Sequence, residues 1–477
     1  MSVREPIIGA GPRVDAPGLR ERCELAVRRA RRRGRPVLLG WTVAVGADWD
    51  PSAIVFASRA AGEDWFCFEQ PDRQGAALAT LGSAVRLRAS GEDRFSRVAR
   101  EWRSLASGAV ADPPDGPAGA GLVAVGGFAF APDGGRAPHW AGYDAADLIV
   151  PEVALARRDG DVRLTLASLA APDDDVDELA ARLSARLAAL RHDPLPLLDP
   201  APAGRFQISS VAPPEHYEQA VARAVERIRA GELEKIVLAR EVAVHAPTPH
   251  DAAAVFGVLR AGFESCYVFC AGRGDAAFVA ASPELLIRRE GHRAQTVALA
   301  GSTHRSADPA VDAHLGEQLL RSDKDREEQA IVVRRIARAL RPHAVWVATP
   351  DEPRIIKVAN IQHLATPIRA QLTEPLGAIE LAALLHPTPA VGGEPHAVAA
   401  PLIPALEGLD RGWYAGAVGW TDANDDGEFC VALRCALLRG TEARLYAGVG
   451  VVRDSDPAAE LRETEIKLGA LLPVLAG

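Results

Sequence analysis

The feature that most constrains this chain's fold is a series of strand-forming runs joined by connections too short for a crossover helix. Apolar, β-rich stretches near 266 to 272, 277 to 281 and 284 to 289, and again near 414 to 421, 428 to 438 and 443 to 452, follow one another closely within each group. Parallel pairing needs a dozen or more linking residues, so neighbours this close pair antiparallel. Upstream, PVLLGWTVAV, SAIVFAS, GLVAVGGFAFA and LIVPEVALA are further strand-like runs. Helical spacing is expected near 94 to 107, 176 to 191, 308 to 341, 376 to 385 and 457 to 474, and it places Tyr217, Val221, Val225 and Ile228 on one face of a helix stopping at Gly231. Strands and helices mix without strict alternation, which indicates an α+β fold.

Residues 192 to 205 (HDPLPLLDPAPAGR) hold four prolines and read as an extended connector. It separates residues 1 to 205, a scaffold half poor in polar chemistry, from residues 206 to 477, where such chemistry is concentrated. With 48% hydrophobic and 25% charged residues the chain has a globular composition. Its net charge of -9 argues against nucleic acid as a partner. The basic run Arg28, Arg29, Arg31, Arg32, Arg33 and Arg35 reads as the exposed end of a first helix closing at Gly34. No apolar run reaches the roughly 18 residues of a membrane span. The segment MSVREPIIGAGPRVD has neither signal- nor transit-peptide character, so a cytoplasmic location is expected. The six cysteines, at 23, 67, 266, 270, 430 and 435, lack zinc-ligand spacing and read as reduced core residues.

Of the 54 basic residues only four are lysines: Lys235, Lys324, Lys357 and Lys467. Lysine differs from arginine in its compact ammonium and in its ability to lose a proton when desolvated. Three of the four sit in polar clusters, ELEKIVLAR, SDKDREEQ and ELRETEIKL. Two of those clusters carry carboxylates three apart, Asp325 with Glu328 and Glu460 with Glu463, and i, i+3 spacing puts each pair on one helix face. Such faces suit Mg²⁺, which takes one or two carboxylates and shares its other positions with water and an anionic substrate. They equally suit a solvated surface, with Glu463 and Lys467 as an i, i+4 ion pair; spacing leaves both readings open. RGWYAGAVGW and LYAGVGVV combine small residues with strand formers, so a backbone can approach a ligand there, and neither is a dinucleotide fingerprint. His386, in the proline-locked LLHPTPAVGG, reads as structural.

In order along the chain, ELEKIVLAR, ASPELL, ALAGST, SDKDREEQAIVV, IQHLAT, LHPTPAVGG, RGWYAGAVGW, VALRCALL, YAGVGVV and DPAAELRETEIK together resemble the chorismate-utilising enzymes. LHPTPAVGG and RGWYAGAVGW look specifically like the isochorismate synthases of that family. The resemblance covers about 206 to 474 strongly and the first half loosely. It implies two large antiparallel sheets packed face to face and flanked by helices, one continuous unit built from both halves. It also implies a Mg²⁺-dependent isomerisation of chorismate, with water added at C2 and the C4 hydroxyl lost, serving menaquinone or siderophore biosynthesis.

Carried over by residue, the resemblance makes Lys235 the general base and Glu284 the general acid. Glu328 and Glu463 match direct magnesium ligands, with Asp325 and Glu460 beside them acting through water. Gly301 and Ser302 match the turn for the ring carboxylate. Tyr414, Arg434, Gly448 and Lys467 match the surroundings of the enolpyruvyl carboxylate, and His363 and Thr366 a pocket-lining segment. The chemistry is coherent: chorismate is a dianion, hydroxide is a poor leaving group that needs a proton, and attacking water must lose one. Burial favours the neutral forms that an amine base and a carboxyl acid require. Two positions depart from the family pattern: Gln329 where histidine commonly follows the metal-binding glutamate, and Ala298 where proline commonly opens the carboxylate turn. Both bear on efficiency more than on identity. The rival activities are a salicylate synthase, which also eliminates pyruvate, and the synthase subunit of an anthranilate or aminodeoxychorismate complex. The chain carries no glutaminase-like nucleophile motif, and no obligatory glutaminase partner is expected.

Overall fold

A computed structural model describes residues 18–199, 202–358 and 361–476. The N-terminal segment MSVREPIIGAGPRVD, expected to carry no targeting signal, lies outside the described residues. Two antiparallel sheets, one of twelve strands and one of ten, form the frame. Each takes strands from both sides of the proline-rich connector. In the larger sheet Trp65–Gln70 pairs with Tyr267–Arg273, and in the smaller Val123–Phe128 pairs with Ala417–Asp422. One core cluster lies between the sheets and combines Phe66, Phe68 and Phe278 of the larger with Val125, Ile287 and Phe429 of the smaller. A second cluster covers the outer face of the larger sheet with helices including Leu19–Arg33 and Ala252–Gly262. All six cysteines are buried and free.

Most helices fall where the spacing puts them: Leu19–Arg33 closes at Gly34 in the left-handed region, and Arg94–Gly108, Val176–Ala188 and Pro214–Arg229 come after it. The stretch from 308 to 341 is two helices instead of one. Ser322 ends Pro309–Arg321 in extended conformation, and its side chain caps Asp323–Leu340 by accepting from the Asp325 N–H. The stretch from 457 to 474 likewise divides into Pro457–Leu468 and a short Leu472–Ala476.

The difference that matters most for the site lies in the strand expected over 428 to 438. It is two strands in different sheets, Gly427–Val431 in the smaller and Cys435–Arg439 in the larger. The chain crosses between them at Arg434, whose φ of 48° breaks the extended run. A second crossing, Pro283–Glu284, joins Ala276–Ser282 of the larger sheet to Leu285–Glu290 of the smaller. The crossings are tied together: the Val431 N–H donates to the Glu284 carbonyl at 3.0 Å, and the Ala281 N–H to the Arg434 carbonyl at 3.1 Å. Two ionisable side chains, Glu284 and Arg434, are thereby placed at the seam between the sheets.

Candidate active site

One cavity opens at that seam. Among the residues selected from the sequence, Glu284, Gly301, Ser302, Glu328, His363, Tyr414, Arg434, Gly448, Glu463 and Lys467 line it. Lys235, Thr366, Asp325 and Glu460 lie outside its lining, each in contact with elements that form the wall.

Lys235 opens the strand Lys235–His245 and is fully buried. Its Nζ stands 2.9 Å from Glu328 Oε1, yet it has no partner at hydrogen-bond geometry. The two observations describe one arrangement, a close charge contact without the alignment of a hydrogen bond. The room for it comes from Gly450 on the paired strand, where a Cβ would overlap Glu328 Oε1 and stand 2.8 Å from Lys235 Cε. Only glycine leaves this approach open.

Glu284 is buried with no ion pair among the described residues. Burial pushes its carboxyl up to about 8, against the opposing pull of the Lys235, Arg434 and Lys467 charges and a hydrogen bond with Thr388. The group is therefore protonated at neutral pH.

The two acidic pairs share a pattern. In each, one member reaches the cavity and the other is held by a neighbour. Glu328 faces Lys235, while Asp325 is bonded to Ser322. Glu463 accepts from Lys467 Nζ at 2.8 Å and Ser302 Oγ at 2.7 Å, while Glu460 takes Lys324 Nζ at 2.8 Å. Burial pushes Glu463 up, but the charge of Lys467, with its hydrogen bond and that of Ser302, outweighs this and holds the carboxyl below its ordinary value. Burial raises Asp325 and Glu460.

Gly301 has φ 72° at a register shift in the strand Arg293–His304, between Ala300 and Ser302. A Cβ there would stand 2.9 Å from Asp325 Cβ, so glycine is needed for both backbone and packing. The shift turns Ser302 toward Glu463. His363 Nε2 is 3.2 Å from Arg434 Nη2 and its Nδ1 is 3.3 Å from the Gly301 carbonyl. Arginine can only donate, so Nε2 accepts and the proton sits on Nδ1. Burial, reinforced by the Arg434 charge, lowers His363 to about 3 and keeps the ring neutral. Lys467 Nζ also donates to the Gly448 carbonyl at 3.0 Å. A Cβ on Gly448 would lie 2.7 Å from the Tyr414 hydroxyl.

Thr366 accepts from Gln329 Nε2 at 3.0 Å, and the same amide donates to the Ala298 carbonyl at 2.9 Å. Both departures from the family pattern thus belong to one buried link between the helix Asp323–Leu340 and the strand Arg293–His304. His386 is structural: it bonds the Phe130 carbonyl through Nε2 at 3.1 Å, and burial lowers it to about 3. Sequence reasoning missed Thr388, Val391, Leu433 and Tyr446 as neighbours of the reacting groups. Thr388 and Val391 stand in the LHPTPAVGG segment, where their neutral side chains carried no separate signal.

Among the described residues no three of His, Cys, Asp and Glu stand close enough to hold a metal ion together. The donor set still fits Mg²⁺, because Glu328 and Glu463 are two carboxylates on one cavity, and the ion draws its remaining oxygens from water and substrate.

The family described as chorismate binding enzyme matches residues 25–476. The "Salicylate biosynthesis isochorismate synthase" of Pseudomonas aeruginosa is 37% identical over 458 residues, which cover 96% of this chain and 94% of that protein. The "Isochorismate synthase MenF" of Bacillus subtilis is 34% identical over 75% of each chain. Among solved structures, MenF, the menaquinone-specific isochorismate synthase from Escherichia coli, superposes with a TM-score of 0.76 at 27% identity, covering 95% of this chain and 99% of that one.

Proposed function

The chain belongs to the chorismate-binding enzymes, in their isochorismate synthase branch, and from that premise we propose that it isomerises chorismate to isochorismate with Mg²⁺ as cofactor. The observation that carries the reading is Glu284: a carboxyl protonated at neutral pH, facing a cavity that also holds two carboxylates and two cations. A proton donor is what loss of the C4 hydroxyl requires.

In this reading Lys235 takes the proton of the water that attacks C2, and Glu284 gives a proton to the departing C4 oxygen. Arg434 and Lys467 neutralise the substrate's carboxylates, and the Gly301–Ser302 turn offers backbone and hydroxyl donors. The neutral His363 fixes the Arg434 fork through Nε2 and the Gly301 turn through Nδ1. Glu328 and Glu463 would hold Mg²⁺, which supplies positive charge to the substrate carboxylate when bound. Asp325 and Glu460, tied to Ser322 and Lys324, support those two from outside the cavity.

The relatives' names divide between salicylate biosynthesis and MenF, and isochorismate is common to both. The test is to incubate purified protein with chorismate and Mg²⁺, with and without ammonium, and identify the product by mass and retention. Isochorismate is expected in both conditions. Pyruvate formed in step with chorismate loss would establish the lyase reading instead, and a requirement for ammonium the aminating one.

A further inference from the structure

We propose that a second cleft, across the Pro283 crossing from the cavity, binds a small organic anion with an apolar body. Pro283 lines both spaces; Glu284 faces the cavity and Leu285 the cleft. The cleft's volume of about 530 Å³ is within the range of small-molecule sites. Its walls are unequal in charge, with Arg288, Arg354, Lys357 and Arg369 against a single carboxylate, Asp72. This is a local excess of positive charge in a chain of net charge -9.

Two of these cations are committed elsewhere. Arg288 Nε donates to Glu428 at 2.8 Å, and Lys357 Nζ to Asp312 at 2.7 Å. Arg354 and Arg369 are exposed, and no ion pair joins either of them to another described residue. The register puts both on one face. Arg354 is opposite Ala365 on the strand Ile361–Leu372, and Arg369 lies four residues further along that strand. Period-two alternation then aims both side chains the same way, with Cα positions about 13 Å apart along the strand. Gln295, opposite Arg369 on the adjacent strand, also lines the cleft.

Two guanidinium forks match one carboxylate, or the two carboxylates of a dianion, in bidentate geometry. Val297, Pro367 and Ile356, on the same face as the two arginines by the same alternation, give the space an apolar floor. A bare inorganic anion would leave that floor in water; a carboxylate carrying a ring or short chain covers it. The site is independent of the proposed isomerase chemistry, because none of the reacting groups takes part.

Titration calorimetry on the full chain tests the assignment, with benzoate and inorganic phosphate as separate probes. Benzoate is expected to bind, with phosphate at least about tenfold weaker because it gains nothing from the floor. Replacing both arginines, Arg354→Gln with Arg369→Gln, should weaken benzoate by about tenfold or more, as expected for losing charge-assisted hydrogen bonds. Both side chains are exposed, and an unchanged melting temperature would show the double variant to be folded. The cavity variants Arg434→Gln and Lys467→Gln, made separately, should leave benzoate binding as it was. Absence of benzoate binding overturns the proposal. So does binding that survives the double variant and disappears in either cavity variant, which would put the probe in the active site. Equal affinity for phosphate overturns it as well, by reducing the cleft to a patch of charge.

Discussion

Two buried carboxyls, one in each half of the chain, show how differently the halves stand to the cavity. Asp147, fully buried in the first half, accepts from Arg273 Nε at 2.9 Å and lies 3.2 Å from Arg86 Nε. Arg273 belongs to the larger sheet and Asp147 to the smaller, so their pair ties the sheets together. Glu284, at the seam in the second half, is just as enclosed and has no ion pair among the described residues. The first is charge used to hold a frame; the second is a proton held ready. Every residue lining the cavity lies between Val237 and Lys467. The first half acts at one remove, for example through Trp140, whose ring stacks on Tyr446 at 5.6 Å, which in turn stacks on Tyr414 at 5.3 Å.

If this contrast is right, changes at the seam abolish turnover while leaving the fold, and changes in the frame do the reverse. The largest effect is expected at Glu328. Glu328→Gln should lower turnover on the order of 10³ or more, the several kcal/mol a bound metal supplies, while its circular dichroism stays near wild type; losing the contact with the buried Lys235 lowers its melting temperature without unfolding it. Excess chelator should have the same effect on the wild type; undiminished turnover in chelator removes the metal from the mechanism. Lys235→Arg comes next. Arginine keeps a positive charge near Glu328 but cannot give up a proton, so a loss of about 10² to 10⁴ is expected. Turnover near wild type would show that the position needs only its charge.

Glu284 sharpens the comparison through pH. Its carboxyl titrates at about 8 in the folded chain against an ordinary value of 4.5. As the proton donor it should give kcat/KM, which reports the free enzyme, an alkaline limb near pH 8, falling about tenfold per unit beyond it. Stability moves in a stated direction too. The unfolded chain sheds this proton near 4.5 while the folded chain keeps it to about 8, so the group's stabilising contribution is complete below 4.5 and is lost as pH rises to about 8. Glu284→Gln lacks that titration. Chemical denaturation at about pH 5 and pH 8 should therefore find the variant gaining on the wild type as pH rises, and a constant difference would mean that the carboxyl is not buried as a neutral acid.

Most of the expected strands and the polar clusters were legible in the sequence, because alternation and i, i+3 spacing are local signals; SAIVFAS, read as a strand, is instead the buried helix Pro51–Ser58, capped by Asp50, since an apolar run buried all round carries no period to tell helix from strand. The seam was not. A period of two reports a strand but not its sheet, so Gly427–Val431 and Cys435–Arg439 merged into one run and the crossing at Arg434 was invisible. The turn that the resemblance assigned to Gly301 and Ser302 of ALAGST lies inside the twelve-residue strand Arg293–His304, where the glycine makes a register shift instead of ending the strand. Its partner Ile361–Leu372 was hidden by Pro367, and by burial on both faces from Ile361 to Thr366, which erases alternation. The helix His396–Glu407 was missed for its two internal prolines. The identities of Glu284, Arg434 and His363 as site residues came from resemblance; what brings them together is tertiary.

The smallest effect on activity, and a large one on stability, is expected at Asp147. Asp147→Asn changes almost no volume but removes the charge that Arg273 faces, and Arg273 is itself buried, donating otherwise to the Gly272 carbonyl. Breaking a buried pair from one side leaves an uncompensated charge, at a cost of about 3 to 5 kcal/mol. Arg86 and Arg88 lose the same partner, but both reach solvent and have Asp64 and Asp144 to turn to, so most of the cost falls on Arg273. None of these residues lines the cavity, and the nearest route to it runs through Tyr143 and Trp413, packed rings with no polar group at the reacting atoms. At a temperature where the variant is fully folded, kcat and KM should both stay within about twofold of wild type, while the denaturation midpoint falls clearly. A drop in kcat as large as that of Lys235→Arg, measured on folded protein, would show that the frame sets the seam's geometry as well as its stability, and the division between the halves would dissolve.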